Sequence, residues 1–196
     1  MSLVDEPPAR IPDFDALYNA DPDPWQVAST WYEQRKLAVL LAALPRPHYA
    51  RTWEPGCGPG VTTTALANRT GELIATDSSQ AAVALAVERC RGLGHVTVCR
   101  SVLPAVPVTP PVDLVVVAEF LYYVQDLPGA LESLWSVTAP GAHMVFLHWA
   151  HRPDDAFRSG PDMHAQIAID AVDRDALRLV SHADQDFTLD IYEATA

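Results

Sequence analysis

The residues from Glu54 to Gly60, "EPGCGPG", are the densest candidate for chemistry in the chain. Three glycines alternate with other residues, and a carboxylate stands two positions before the first. Glycines at that density leave backbone amides bare, so a ligand can approach the main chain directly. The run "YARTW" before the loop reads as a strand, and "VTTTALANR" after it opens a helix. A strand-to-helix turn of this kind cradles nucleotides. A phosphate-binding loop would need a lysine after its glycines, and none follows. A dinucleotide fingerprint built on Gly56 and Gly58 would need a third glycine where Val61 stands. Glu54 would repel a pyrophosphate. It suits a ligand with an ammonium and a sulfonium, and S-adenosylmethionine is such a ligand.

Asp77, followed by Ser78, ends the next strand in "LIATDSS". A carboxylate there can accept from both ribose hydroxyls. The alternative is that Glu54 and Asp77 cap helices while the glycines only make a tight turn.

The elements that must hold these residues alternate along the chain. Helices are expected over Asp13–Asn19 and Thr30–Ala43, punctuated by Pro22, Pro24 and Pro45. In the second, Trp31, Leu37, Leu40 and Leu41 form an apolar face, with Lys36 beside it. A helix over about Pro59–Asn68 and the strand "ELIATD" follow. Ser79 caps "SSQAAVALAVERC", which ends at Gly92. Then come "HVTVCR", the continuous apolar strand "VDLVVVA", the helix "LPGALESLWSV" and the strand "AHMVFLHW". A helix near Pro161–Ala171 and the strands "ALRLVSHA" and "FTLDIYEA" close the chain. Runs such as "LVVVA" mark strands buried on both faces. Strand and helix alternation predicts a doubly wound, parallel α/β sheet. "LPAVPVTPP" is a proline-rich loop between elements.

Composition narrows the function. With 196 residues, 49% of them hydrophobic, the chain suits one domain with a substantial core. Its net charge is −12, with 13 Lys+Arg against 25 Asp+Glu and no basic stripe, so nucleic acid and anionic membrane are poor partners. The acidic N-terminus, "MSLVDEPPARIPDFD", lacks the apolar segment of a signal peptide, and "LAVLLAALP" is too short to span a bilayer. Cys57, Cys90 and Cys99 are odd in number and widely spaced, which is neither a disulfide framework nor a zinc site, and a reducing cytoplasm is expected.

The sequence resembles the class I S-adenosylmethionine-dependent methyltransferases. "EPGCGPG" is similar to their first motif, Asp77 to their ribose-binding acid, "VDLVVVAEFLYY" to the fourth strand and the loop over the methyl group, and "PGAHMVFLHW" to the fifth strand. Within the superfamily it looks most like the NodS group, nodulation-type enzymes that methylate the free amine of a deacetylated chitooligosaccharide. That likeness rests on "DPDPWQVASTWYEQRK", "AEFLYY" and "HWAHRPDD…SGPDMHAQ". It implies a Rossmann-like sheet of seven mostly parallel strands with the last antiparallel. It implies one domain over 1–196, with a helical cover over 1–48 and the core over 49–196. S-adenosylmethionine is the implied cofactor, held by Glu54, Gly56, Cys57, Gly58, Gly60, Asp77, Ser78, Ser101, Val102 and Glu119. Ser101 departs from the family, which usually places an acid there to hold the adenine amine; a hydroxyl accepts more weakly.

Methyl transfer is an in-line displacement at an activated sulfonium, so alignment supplies most of the catalysis. An amine acceptor must also lose a proton. Glu119, His148, His151 and His164 are the candidates to take it, with His148 preferred because the fifth strand ends beside the methyl group in this fold. Glu119 could instead cap its loop or touch the cofactor, and His148 could be a satisfied core histidine. His148 and His151, with Asp154 and Asp155 nearby, could suggest a metal, but the chemistry needs none. Cys57 has no base spaced to activate it. Aromatic residues gather where an acceptor would lie. Tyr32, Tyr122, Tyr123 and Trp149, with His164, are expected to contact it, Trp25 belongs to the same cluster, and Trp31 and Phe120 are expected to pack in the core. No large insertion follows any strand, so only the N-terminal helices and the Ala150–Pro161 loop can cover the site. Such a cleft suits a small-molecule or oligosaccharide acceptor. Two other functions remain open: methylation of nitrogen or oxygen on a natural-product scaffold, and nucleotide binding without chemistry.

Overall fold

A computed structural model describes residues 11–108 and 111–195. The expectations for the first ten residues, and for residues 109–110 of the proline-rich loop, lie outside the described residues.

Seven strands form one sheet in the order β3-β2-β1-β4-β5-β7-β6. They are β1 (Tyr49–Pro55), β2 (Thr70–Asp77), β3 (Val96–Arg100), β4 (Val112–Ala118), β5 (Thr138–Trp149), β6 (Leu177–Ala183) and β7 (Phe187–Glu193). β1 to β5 pair in parallel, and β7 runs antiparallel between β5 and β6. This is the Rossmann-like sheet with an antiparallel last strand. The helices are α1 (Phe14–Ala20), α2 (Trp31–Ala43), α3 (Val61–Ala67), α4 (Gln80–Arg89), α5 (Leu127–Trp135) and α6 (Gly160–Asp173), with a 3₁₀ turn at Leu121–Tyr123.

Why these residues make these elements is plain at the central strands. β4 is apolar from Leu114 to Ala118, and Leu114, Val115, Val116 and Val117 are all buried because helices cover both faces. On one face, Val115, Val117, Met144 and Phe146 pack with Leu131 and Leu134 of α5 and Met163 and Ile167 of α6. On the other, Leu114, Val116, Val145 and Leu147 pack with Leu40 of α2 and with Leu44. Ser79 caps α4 as its sequence predicts, its Oγ accepting from Ala82 N at 3.1 Å.

Two expectations shift here. α2, expected as part of a helical cover, also closes the core: Leu40, with Leu44 just past the helix, packs beside Leu189 and Ile191 of β7. Arg35 also pairs with Asp184, and the Tyr32 ring meets Phe187 edge-on, 6.3 Å between centroids. Trp31, expected to be core, is 76% exposed. It is the first residue of α2, and the buried stripe of that helix runs through Lys36 and Leu40 instead.

Gly60 stands at the N-cap of α3 with φ of 82°, and a Cβ there would lie 3.0 Å from Ala86 Cα of α4. Gly60→Ala therefore combines left-handed strain with a backbone clash. The expected loss is about 1–2 kcal/mol, or roughly 3–6 °C in Tm, read by thermal unfolding.

Candidate active site

Strands β1 and β4 are neighbours, yet their crossovers run to opposite sides, α3 toward β2 and α5 toward β5. A crevice opens at the carboxyl ends of strands where the order reverses in this way. A cavity of about 1080 Å³ lies there, lined by the glycine loop, the ends of β2, β4 and β5, and residues of α1 and α2. Ligand pockets typically run to ~1,000 Å³, so there is room for a nucleoside and part of a second molecule.

The glycine loop is built for close approach. Gly56 (φ 69°) and Gly58 (φ 52°) are left-handed. A Cβ on Gly56 would lie 2.4 Å from the Phe120 ring, and one on Gly58 would lie 2.9 Å from the Tyr18 hydroxyl. Asp77 fixes the loop: one carboxylate oxygen accepts from Gly58 N and the other from Ser79 N, both at 2.9 Å. Burial lifts the Asp77 carboxyl above the usual range despite these donors. Glu54 is buried, and its Oε2 has no hydrogen-bond partner among the described residues. Burial, with the Asp77 charge adding, pushes its pKa up to about 8. An orphaned carboxylate oxygen behind glycines that let a ligand approach closely fits a ligand that brings an ammonium, so the residues present fit S-adenosylmethionine. Burial also raises the Cys57 thiol well above its ordinary range, which suits packing and not attack.

Glu119, just past β4, has φ of 61°, a left-handed conformation that costs a non-glycine residue about 1–2 kcal/mol. Its neighbours hold it there. Glu119 N donates to Leu147 O at 3.0 Å. Its Oε2 accepts from Tyr122 OH at 2.5 Å and from Trp149 N at 3.0 Å, and its Oε1 pairs with Lys36 Nζ at 2.5 Å. Lys36, 5% exposed, also bonds Glu33 Oε1 at 2.9 Å and lies over the Tyr32 ring at 4.7 Å. Burial, with Lys36 opposing and Glu119 and Asp23 adding, raises the Glu33 carboxyl.

Most residues singled out in the sequence meet in this cavity. Glu54, Gly56, Cys57, Gly58, Asp77 and Ser78 line its cofactor-loop side, and Ser101 and Val102 its far end. Glu119, Tyr32, Tyr122, Tyr123 and Trp149 line the rest. Phe120, expected in the core, is half-buried and lines it as well. Gly60 does not; it serves the packing of α3 on α4.

The histidines correct the expectation for the base. His148 is fully buried and lies outside the cavity lining, its ring edge-on to Tyr122 at 5.6 Å. Successive side chains of a strand face opposite ways, so Leu147 and Trp149 turn toward the cavity and His148 turns away. His148 Nδ1 meets His164 Nε2 at 3.2 Å, and His164 Nδ1 meets Asp190 Oδ2 at 2.6 Å. Burial holds His148 neutral, well below the usual range. His164 is likewise buried and outside the cavity lining, and His151 is exposed against Trp149, also outside the lining. No group of three potential metal ligands occurs among the described residues.

Sequence reasoning missed four residues. Glu33 and Lys36 reach the site from α2, and Tyr18 reaches it from α1. Asp15 of α1 accepts from Ser79 Oγ at 2.6 Å and from Ala81 N at 3.0 Å, docking that helix on α4. The signal for Lys36 was its place one helical turn before Leu40, on the face that α2 buries.

Comparison with known proteins agrees with this geometry. The pattern of the Nodulation protein S (NodS) family matches residues 16–181. The chain belongs to the NodS family. Nodulation protein S of Sinorhizobium fredii (strain NGR234) is 30% identical over 128 residues, 63% of this chain and 59% of that protein. Trans-aconitate 2-methyltransferase of Variovorax paradoxus is 35% identical over 109 residues, 55% of this chain and 41% of that protein. The chain thus spans about two-fifths to three-fifths of the curated relatives it matches. The crystal structure of N-methyltransferase NodS from Bradyrhizobium japonicum WM9 with S-adenosyl-L-homocysteine superposes with a TM-score of 0.76 at 23% identity, covering 93% of this chain and 98% of that one. Family and fold agree: the chain has the architecture of that N-methyltransferase structure and the sequence pattern of the NodS family.

Two measurements check the site's electrostatics. Lys36→Met leaves Glu33 and Glu119 without their shared cation, and chemical denaturation should show a loss of about 2–4 kcal/mol. Glu54, with an ordinary value of 4.5 raised to about 8, binds a proton as the chain folds. Its contribution to stability is full below pH 4.5, declines as pH rises toward 8, and then levels off. Glu54→Gln should flatten that decline in the ligand-free protein, as followed by Tm across pH 5 to 8.

Proposed function

We propose that this protein transfers a methyl group from S-adenosylmethionine to the amine of an amino sugar or a related small molecule. The charge balance of the cavity carries the reading. Glu33, Glu54, Asp77, Glu119 and Asp126 line it, and the cationic side chain among the described lining residues is Lys36, already bonded to Glu33 and Glu119. Such a site attracts an ammonium and repels a carboxylate. A carboxylate acceptor of the trans-aconitate kind, which the Variovorax relative would suggest, finds no free cation there. The relatives named for nodulation and N-methylation support the same choice.

Bound S-adenosylmethionine supplies an electrophilic methyl group on a sulfonium. Each protein group then has a task. Glu54 accepts from the ammonium of the cofactor, and Asp77 accepts from the ribose hydroxyls. Ser101 Oγ donates to Ala105 O at 3.1 Å, which leaves its lone pairs to accept from the adenine amine. Tyr32, Tyr122, Tyr123 and Trp149 offer aromatic faces to a sugar ring. Residues of α1 and α2 and Pro153 line the same cavity of about 1080 Å³, which has room for an acceptor beside the cofactor. The free cysteines at 57, 90 and 99 support a reducing compartment such as the cytoplasm.

S-adenosylhomocysteine should raise Tm where NAD and ATP do not; at 100 times its Kd a ligand adds about 2.7 kcal/mol. An unshifted Tm at millimolar S-adenosylhomocysteine contradicts the cofactor assignment. Asp77→Ala should weaken S-adenosylhomocysteine by ~10–100-fold in calorimetry. Methyl transfer to amino sugars, set against trans-aconitate as acceptor, decides between nitrogen and carboxylate oxygen.

A further inference from the structure

We propose that Glu33 is the carboxylate that receives the acceptor's ammonium and takes its proton, an assignment that rests on the amine reading above. The argument begins with what Glu33 does not do. Thr30 and Glu33 have the T-x-x-E spacing of a capping box, in which the glutamate reaches back to the backbone N–H of the cap residue. Half of that box is present, since Thr30 Oγ1 accepts from Glu33 N at 3.4 Å. The other half is vacated. Thr30 N donates to Gln26 O at 3.2 Å, and the Glu33 side chain points into the cavity, where it bonds Lys36 through Oε1.

Elimination among the cavity carboxylates leads to the same residue. Asp77 holds Gly58 N and Ser79 N, and on the reading above its remaining acceptor capacity serves the cofactor's ribose. Glu119 uses both on Lys36, Tyr122 and Trp149. Asp126 is exposed and caps α5 through Gly129 N. Glu54 lies behind the glycine loop, where the cofactor's ammonium needs it. Glu33 alone of the remaining acids keeps an oxygen without a hydrogen-bond partner among the described residues, on the same network as Glu119, Tyr122 and Trp149. The groups facing it are Lys36 and Tyr32 of α2, Glu119 past β4 and Asp23 of the loop before α2. Burial and the two carboxylates favour proton uptake, and Lys36 limits it.

The proton transfer balances simply. One N–H bond of the ammonium breaks, its electron pair stays on nitrogen, and the proton bonds to the free oxygen of Glu33. That pair forms the N–C bond to the methyl group while the C–S pair stays with sulfur, and the methylated amine carries the positive charge. Glu33, whose side chain is 14% exposed, then gives its proton to solvent.

The test uses fully deacetylated chitobiose and a panel of amino sugars as acceptors. Wild-type turnover should change little between pH 7 and 9. Glu33→Gln should fall ~100-fold at pH 7 and recover about tenfold per pH unit toward the acceptor's own pKa, because neutral amine must then arrive from solution. Glu33→Asp should restore part of the flat profile, and S-adenosylhomocysteine affinity should stay unchanged in both variants. With S-adenosylhomocysteine bound, carboxyl-¹³C NMR should show Glu33 titrating above the ordinary 4.5. A Glu33→Gln profile that parallels wild type at every pH, or Glu33 titrating at its ordinary value, overturns the assignment and leaves the amine reading standing. Failure of wild-type protein to methylate any amine overturns both.

Discussion

A single buried ammonium holds the functional half of this molecule together. Lys36 lies almost wholly out of water, between Glu33 on its own helix and Glu119 at the end of β4. Two carboxylates on one cation offset a desolvation cost that a lone lysine could not bear. Through Glu119 the same contact reaches Tyr122 and the backbone of Trp149, so α2, β4, β5 and the 3₁₀ turn between them are fixed against one another. The left-handed backbone at Glu119 persists because these partners over-determine it. Remove the ammonium and only Tyr122, Trp149 and Leu147 are left to hold Glu119 in place.

The opposite wall of the cavity works by leaving polar groups unmatched. Glu54 is buried with a free oxygen, and its carboxyl prefers the protonated form when nothing binds. A ligand ammonium would reverse that preference, so cofactor binding near neutral pH should be linked to proton release of up to about one. One wall is therefore satisfied in advance, and the other waits for its counter-charge.

The elements were legible because their signals are local. A run such as "VDLVVVA" needs no partner to read as a doubly covered strand, and Ser79 announces the start of α4. The glycine loop was legible for the same reason, since Glu54, the glycines and Asp77 fall within one strand-helix-strand unit. Glu33 and Lys36 were not, because 83 residues separate Lys36 from Glu119 and only the sheet order brings them together. His148 is a different kind of miss. The alternation along β5 already implied that it and Trp149 face opposite ways, but a histidine at a strand end drew more weight than its parity. Gly60 was assigned to the ligand by its neighbours in the loop, although its contact is with Ala86.

The place of α2 in the sandwich determines where the chain can be divided. α1 is tied to α4 largely by polar contacts, Asp15 to Ser79 and Ala81, with only Tyr18 of that helix buried. A polypeptide beginning between α1 and α2 would keep every layer of the core. One beginning between α2 and β1 would expose Leu114, Val116, Leu189 and Ile191 to water and strip Glu119 of its cation. The smallest unit of this sequence able to fold thus starts before Trp31, well upstream of its first strand.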